Sequence, residues 1–240
     1  MNNQCENRLK FAGLLLLASF LIAGLVGCAA TKQARSVEPS GFLGDYAMLS
    51  EGAEGEALLI FINPKGDYPA YSKLQLEPVV IWRRGELKTT DIPKEDLQTV
   101  ANNFHKLLLR EVSQDYEMVS APGPSTLRVQ VALTDIEKSN AAMDTVTSVV
   151  PVGLVISGAQ EFITGKPAFT GEVSVEVKVT DASTGELLMA AVDQRVGGKT
   201  IEASVDNWDD VNQIMELWSK MFRFRLCEQR GDKDCIDPES

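Results

Sequence analysis

Histidine is nearly missing from this 240-residue chain, where His105 stands alone. Imidazole chemistry needs a partner beside the ring, whether a second metal ligand or a nucleophile. His105 follows Phe104 on an amphipathic stretch and reads instead as a helix-surface or boundary residue. Basic charge is short too: 23 Lys and Arg face 34 Asp and Glu, a net of −11. That sign repels phosphate backbones and anionic headgroups, which excludes nucleic acid as a partner. Complete ligand loops are lacking. Gly197-Gly198-Lys199-Thr200 ends like a phosphate loop, but Asp193 holds the slot of its first glycine, and the segment reads as a turn between strands. Asp232, Asp234 and Asp237 lack the glycine and the distal glutamate of a calcium loop and read as a solvated acidic tail. No catalytic residue, metal or cofactor is expected, and the chain is not expected to be an enzyme.

What is there begins at the N-terminus. Arg8 and Lys10 precede the uncharged apolar run Phe11–Gly27, which is shorter than the ~20 residues of a spanning helix and ends in small residues. Residues 1–27 therefore read as a signal peptide. The junction Leu25-Val26-Gly27-Cys28 resembles the lipobox of bacterial lipoproteins. That resemblance implies a diacylglyceryl group on the Cys28 thiol, cleavage before it, and acylation of the freed amine with a palmitate-type chain. Two or more acyl chains hold a protein stably on a bilayer where one is marginal, so the membrane is the expected partner through acylated Cys28. In enteric-type lipoproteins an aspartate after the cysteine favours the inner membrane. Ala29 points to the periplasmic face of the outer membrane, with the inner membrane as the alternative. Ala29–Ser40 holds few large apolar side chains, so residues 28–40 are expected to form a flexible tether.

Without residues 1–27, which contain Arg8, Lys10 and Glu6, the balance is 21 basic against 33 acidic residues, or −12. Cys5 leaves with the signal and Cys28 is acylated, which leaves Cys227 and Cys235. In an oxidising periplasm their expected fate is a disulfide. No long polar linker follows residue 41, so residues 41–240 are expected to form one domain.

Within that domain, strands and then a helix occur twice. Ala57–Ile62 is a short apolar run before Asn63-Pro64, and Leu74–Trp82 reads as strand with an edge or bulge at Pro78. After Pro93, residues Leu97, Val100, Ala101, Phe104, Leu107, Leu108 and Val112 recur at helical spacing. Asp91 is a candidate cap, with Pro93 tolerated in the first turn. Tyr116–Val119 and Leu127–Ile136 read as strands. Phe169–Thr180 alternates, with Val173, Val175, Val177 and Val179 on the face expected to be buried and Glu172, Ser174, Glu176 and Lys178 on the other. A turn at Asp181–Glu186 leads into Leu187–Val196, a hairpin. Asp206–Arg225 carries Val211, Ile214, Met215, Trp218, Met221 and Phe222 at helical spacing, with acidic residues at its start and basic ones at its end. The expected class is α+β, a mostly antiparallel sheet with two main helices packed on one face.

Ser40-Gly41-Phe42-Leu43, Asp45-Tyr46, Asn63-Pro64, Val79-Val80-Ile81-Trp82 and the Asp181–Glu186 turn resemble a bacterial lipoprotein family built on a domain of unknown function. The resemblance spans nearly all of the mature chain. It implies a lipoprotein of the envelope with the fold of that family, and it brings no active site.

Two further stretches bear on function. Thr145–Gln160 is uncharged, and Pro151 and Gly153 interrupt it; it reads as a buried connection or as an exposed apolar flap. Asn63–Tyr68 with Tyr71 reads as a recognition loop or as ordinary turn chemistry. The expected function is a noncatalytic binding or structural module that meets an envelope protein. The alternative is a lipid- or glycan-handling auxiliary factor of an envelope transport system.

Overall fold

A computed structural model describes residues 31–82, 93–137, 172–196 and 208–239. Nine strands among them join one sheet: β1 (Lys32–Gln33), β2 (Ser50–Glu51), β3 (Leu59–Ile62), β4 (Lys73–Leu76), β5 (Val80–Ile81), β6 (Glu117–Met118), β7 (Thr126–Glu137), β8 (Glu172–Asp181) and β9 (Leu187–Val196). The order is β2-β3-β9-β8-β7-β4-β6, with β1 also on β9 and β5 also on β7. Pairing is antiparallel except where β4 meets β6 and β7, and where β5 meets β7. Two helices, α1 (Lys94–Val112) and α2 (Asp209–Arg230), complete an α+β arrangement. This is the class predicted from the order of periodic segments.

One face of the sheet is buried for the reason its pattern gives. Val173, Val175 and Val179 of β8 and Leu127, Val129, Val131 and Leu133 of β7 join a core with the apolar stripes of the helices. Phe104 of α1 and Trp218 of α2 meet in it, ring centroids 6.1 Å apart. Pro78 breaks the Leu74–Trp82 strand into β4 and β5, as its missing N–H requires. Pro93 itself takes the capping position of α1, whereas Asp91 lies outside the described residues. Helix α2 runs five residues past the expected Arg225, because Leu226 extends its buried stripe and Gly231, at φ +76°, ends it in a left-handed cap.

The sheet's opposite face departs from expectation. The alternation of β8 leaves Glu176 and Ser174 facing away from the helices, yet both are fully buried. Their cover is irregular chain: Leu43 is buried against Ala190 and Val192, with Val37, Phe42, Tyr46 and Leu49 around it. The expected flexible tether over residues 28–40 is corrected in its described part. Lys32 and Gln33 pair with Val196 and Arg195, the Ala34 N–H donates to the Gln194 carbonyl at 2.8 Å, and Ser40 is buried. Backbone pairing, which a polar composition does not preclude, holds this segment. The described residues cluster as one compact unit. Cys28, the Thr145–Gln160 stretch and the Gly197–Thr200 turn lie outside the described residues.

Candidate functional site

Three polar clusters and two cavities are the candidates. The first cluster is built on Glu176, whose carboxylate points from β8 into the irregular cover. Its Oε1 accepts the Ser40 N–H at 2.7 Å and its Oε2 accepts the Tyr46 hydroxyl at 2.6 Å. The Tyr46 oxygen in turn accepts the N–H groups of Gly41 (2.8 Å) and Leu43 (3.2 Å). Burial and the bond to Glu176 raise the Tyr46 pKa, against the opposing Leu43 N–H. Gly41, at φ +96°, gives the turn a conformation that L side chains rarely adopt. Beside this turn, the Phe42 ring meets Trp82 edge-on at 5.5 Å. The Ser40–Tyr46 turn and the strand ending at Trp82, distant in sequence, thus meet through Phe42.

The second cluster lies under the helices. Asp193 of β9 faces them, as its register opposite Val175 requires, and is 2% exposed. It accepts the Trp218 indole N–H at 2.7 Å, the Arg195 Nε–H at 3.2 Å, the Gln33 amide at 2.7 Å and the Leu58 N–H at 3.3 Å. Arg195, itself 3% exposed, also donates to Glu239 at 2.8 Å. One buried ion pair therefore joins the first strand, the last helix and the C-terminal tail.

The third cluster is the hairpin turn and the Asn63–Tyr71 loop. Asp181 accepts the Ser183 and Thr184 N–H groups at 2.8 and 2.7 Å and the Tyr71 hydroxyl at 2.8 Å. Tyr68 is 4% exposed, and its hydroxyl donates to the Leu188 carbonyl. Both hydroxyls are thus engaged within the fold, and turn chemistry accounts for the loop. Burial pushes the Asp181 carboxyl upward, but the Thr184 N–H, the Tyr71 hydroxyl and the Ser183 N–H outweigh it, and its pKa falls below the ordinary value. Burial, the bond to Asp181 and its charge drive Tyr71 well above the usual tyrosine range. A lowered carboxyl stabilises the fold above its unfolded pKa of about 4, and that contribution fades as pH falls through the folded value. Tyr71→Phe removes one of the lowering bonds. The acid midpoint of unfolding is expected to move to higher pH in an acid titration followed by circular dichroism, with little change at pH 7 beyond about 1 kcal/mol.

A cleft of about 670 Å³ runs between the end of α1, helix α2 and the tail. Its charges are largely paired with each other. Arg223 holds Asp115 at 2.7 Å through Nε, Arg230 holds Asp232 at 2.6 Å, and the Arg230 guanidinium lies 4.7 Å over the Tyr116 ring. Burial pushes Tyr116 up to about 12 despite the opposing charge of Arg230. Cys227 and Cys235, eight residues apart with Cα atoms at 5.7 Å, are joined by a disulfide that folds the tail back beside α2. Ile236 on that tail is 80% exposed. A second space, about 70 Å³ and walled almost wholly by apolar atoms, lies between the sheet and the helices beside Ile60, Ala191 and Trp218.

His105 is half-buried on α1, as a boundary residue would be. Asp232, Asp234 and Asp237 are exposed, and no group of three or more candidate metal ligands occurs among the described residues. Sequence reasoning missed the buried roles of Glu176, Asp193 and Arg195. The density of Gly, Tyr and Ser over residues 40–46 marks a structured turn, and that turn covers Glu176; the partners of Asp193 and Arg195 lie elsewhere, in Trp218, Gln33 and Glu239.

An acidic α+β domain with a sheet covered by helices on one side and by an irregular segment on the other is the class these features define. The chain belongs to the family described as a protein of unknown function, DUF3313, which matches residues 38–222. No curated protein matches it. Among solved structures it is similar to the PelC dodecamer from Paraburkholderia phytofirmans, with 10% identity, a TM-score of 0.37, and coverage of 73% of this chain and 96% of that one. A DUF330 protein from Xanthomonas campestris gives 9%, 0.35, and 70% and 94%. A DUF4136 family protein from Bacteroides thetaiotaomicron gives 9%, 0.32, and 67% and 91%.

Proposed function

We propose that this chain is a bacterial lipoprotein held on the periplasmic face of the outer membrane by acyl chains on Cys28, and that its domain is a noncatalytic binding or structural module meeting an envelope protein. The observation that carries the anchor is the junction Leu25–Cys28, closing the apolar run behind Arg8 and Lys10. The Cys227–Cys235 disulfide suits an oxidising compartment. The noncatalytic reading is supported by the use to which the buried carboxylates are put. A general acid or base must reach a substrate proton, whereas Glu176 and Asp193 are occupied by donors of the fold itself.

The alternative, a lipid- or glycan-handling auxiliary factor, calls for room. The apolar space of about 70 Å³ is less than half of the ~150 Å³ that admits benzene, which speaks against lipid held there; a glycan would instead look to the polar cleft of about 670 Å³. Cys28→Ser is expected to abolish the mass added by acylation and to move the protein from the membrane to the soluble periplasmic fraction. A variant that stays with the membrane, from a parent carrying no added mass, would overturn the anchor. Affinity purification from crosslinked envelopes separates the two readings, since protein partners support the module and co-purified lipid supports the alternative.

A further inference from the structure

We propose that one end of the sheet, the row Lys32–Val196–Glu172–Glu137, faces the lipid surface, and that the Asp181–Glu186 hairpin turn points away from it. This rests on the reading of Cys28 as the acylated anchor and adds an orientation to it. The row follows from the strand register: Lys32 pairs with Val196, Val196 with Glu172, and Glu172 with Glu137. The chain is fastened as soon as it reaches this row. Beyond the β1 pairing, the Gln33 amide donates to Asp193 at 2.7 Å and to the Glu56 carbonyl at 2.8 Å, and the Ala34 N–H donates to Gln194.

Chain length then limits what an anchor at Cys28 permits. Four residue steps separate Cys28 from Lys32, and even fully extended they span no more than ~14 Å. Strand β8 runs from the row at Glu172 to the turn at Asp181, a length of about 30 Å at about 3.3 Å per residue. A cysteine at the bilayer surface thus keeps the row close to the lipid, and the hairpin turn reaches the bilayer only if the domain lies down or β1 peels from β9. With −12 on the mature chain, attraction to anionic lipid does not set the pose; the short anchor does.

The test uses the lipidated full chain in vesicles of phosphatidylethanolamine and phosphatidylglycerol containing a lipid brominated on its acyl chain. A fluorescent amino acid replaces Lys32 in one preparation and Thr184, in the hairpin turn, in another; both positions are exposed. Quenching at position 32 is expected to exceed that at position 184 several-fold. Equal quenching at the two positions, or stronger quenching at 184, overturns the orientation. Failure of the anchor reading looks different, because the protein then carries no acyl mass and does not float with the vesicles. In that event, the chain beginning at Cys28, with that thiol coupled to a maleimide-bearing lipid, gives the same quenching comparison and decides the orientation separately.

Discussion

Replacing Asp193 by alanine is expected to lower the unfolding free energy by about 3–5 kcal/mol, the usual cost of breaking a buried ion pair from one side. The loss is large because Arg195 keeps its charge at 3% exposure with, among the described residues, Glu239 left to oppose it, and because the Trp218 indole N–H and the Leu58 N–H each lose an acceptor. The Gln33 amide loses one of its two partners, so the hold on β1 weakens as well. Urea unfolding followed by tryptophan emission measures the effect; a loss under about 1 kcal/mol would show that the pair holds little together. A companion variant separates charge from packing. Asp193→Leu combined with Arg195→Met removes both charges at similar volume, and it is expected to cost less than Asp193→Ala alone, since well-packed apolar replacements of a buried pair are often neutral.

That cluster also marks where the sequence stops being legible. The helix-facing side of the fold could be read residue by residue. Val173, Val175 and Val179 alternate and are buried, as are the stripes Leu97–Val112 and Val211–Phe222 apart from Leu107; Leu107 and Val177 pack against the core partly buried. Periodicity reports burial only when the buried residues are apolar. Asp193 and Arg195 sit on that same buried face, but their polar side chains look solvent-facing in a strand pattern. Their satisfaction depends on Trp218, Gln33 and Glu239, which are 25, 160 and 44 residues away in sequence. The cover over Glu176 has no period at all. It is a run of turns whose contacts are 130 and 136 residues long, and nothing local in Ser40–Tyr46 says which strand it will meet. The Asp181 turn was legible for the opposite reason: its Asx bonds and Gly185 at φ +74° are encoded within six residues.

The cover gives the second large effect. Glu176→Ala is expected to cost about 2–4 kcal/mol and to release residues 40–46 from the sheet while the helix side stays folded. A buried acceptor with two partners is lost at once: the Ser40 N–H and the Tyr46 hydroxyl are stranded, each at roughly 1–3 kcal/mol unless water reaches it. Water does reach them once the turn lifts, which limits the total and converts part of the cost into local opening. The fully buried apolar residues in this layer are Leu43, Ala190 and Val192, with Val37, Phe42, Leu49, Leu59 and Phe61 partly buried around them, so hydrophobic burial and the carboxylate share the hold on the turn. Hydrogen exchange should therefore accelerate at Gly41, Leu43 and Leu49, whose N–H groups are bonded within the cover, and stay slow at Val131 and Val177, paired in the centre of the sheet. Trp82 supplies a second readout. Its edge contact with Phe42 goes with the turn, so its emission should shift to the red. Glu176→Gln tests the cause, because the amide oxygen still accepts one of the two donors while the charge is gone. It should fall between the parent and the alanine variant in both stability and exchange. Alanine-like behaviour would assign the hold to the charge, and parent-like behaviour would assign it to the hydrogen bonds. Unchanged exchange over residues 40–46 in Glu176→Ala would mean that the apolar layer holds the cover without the carboxylate.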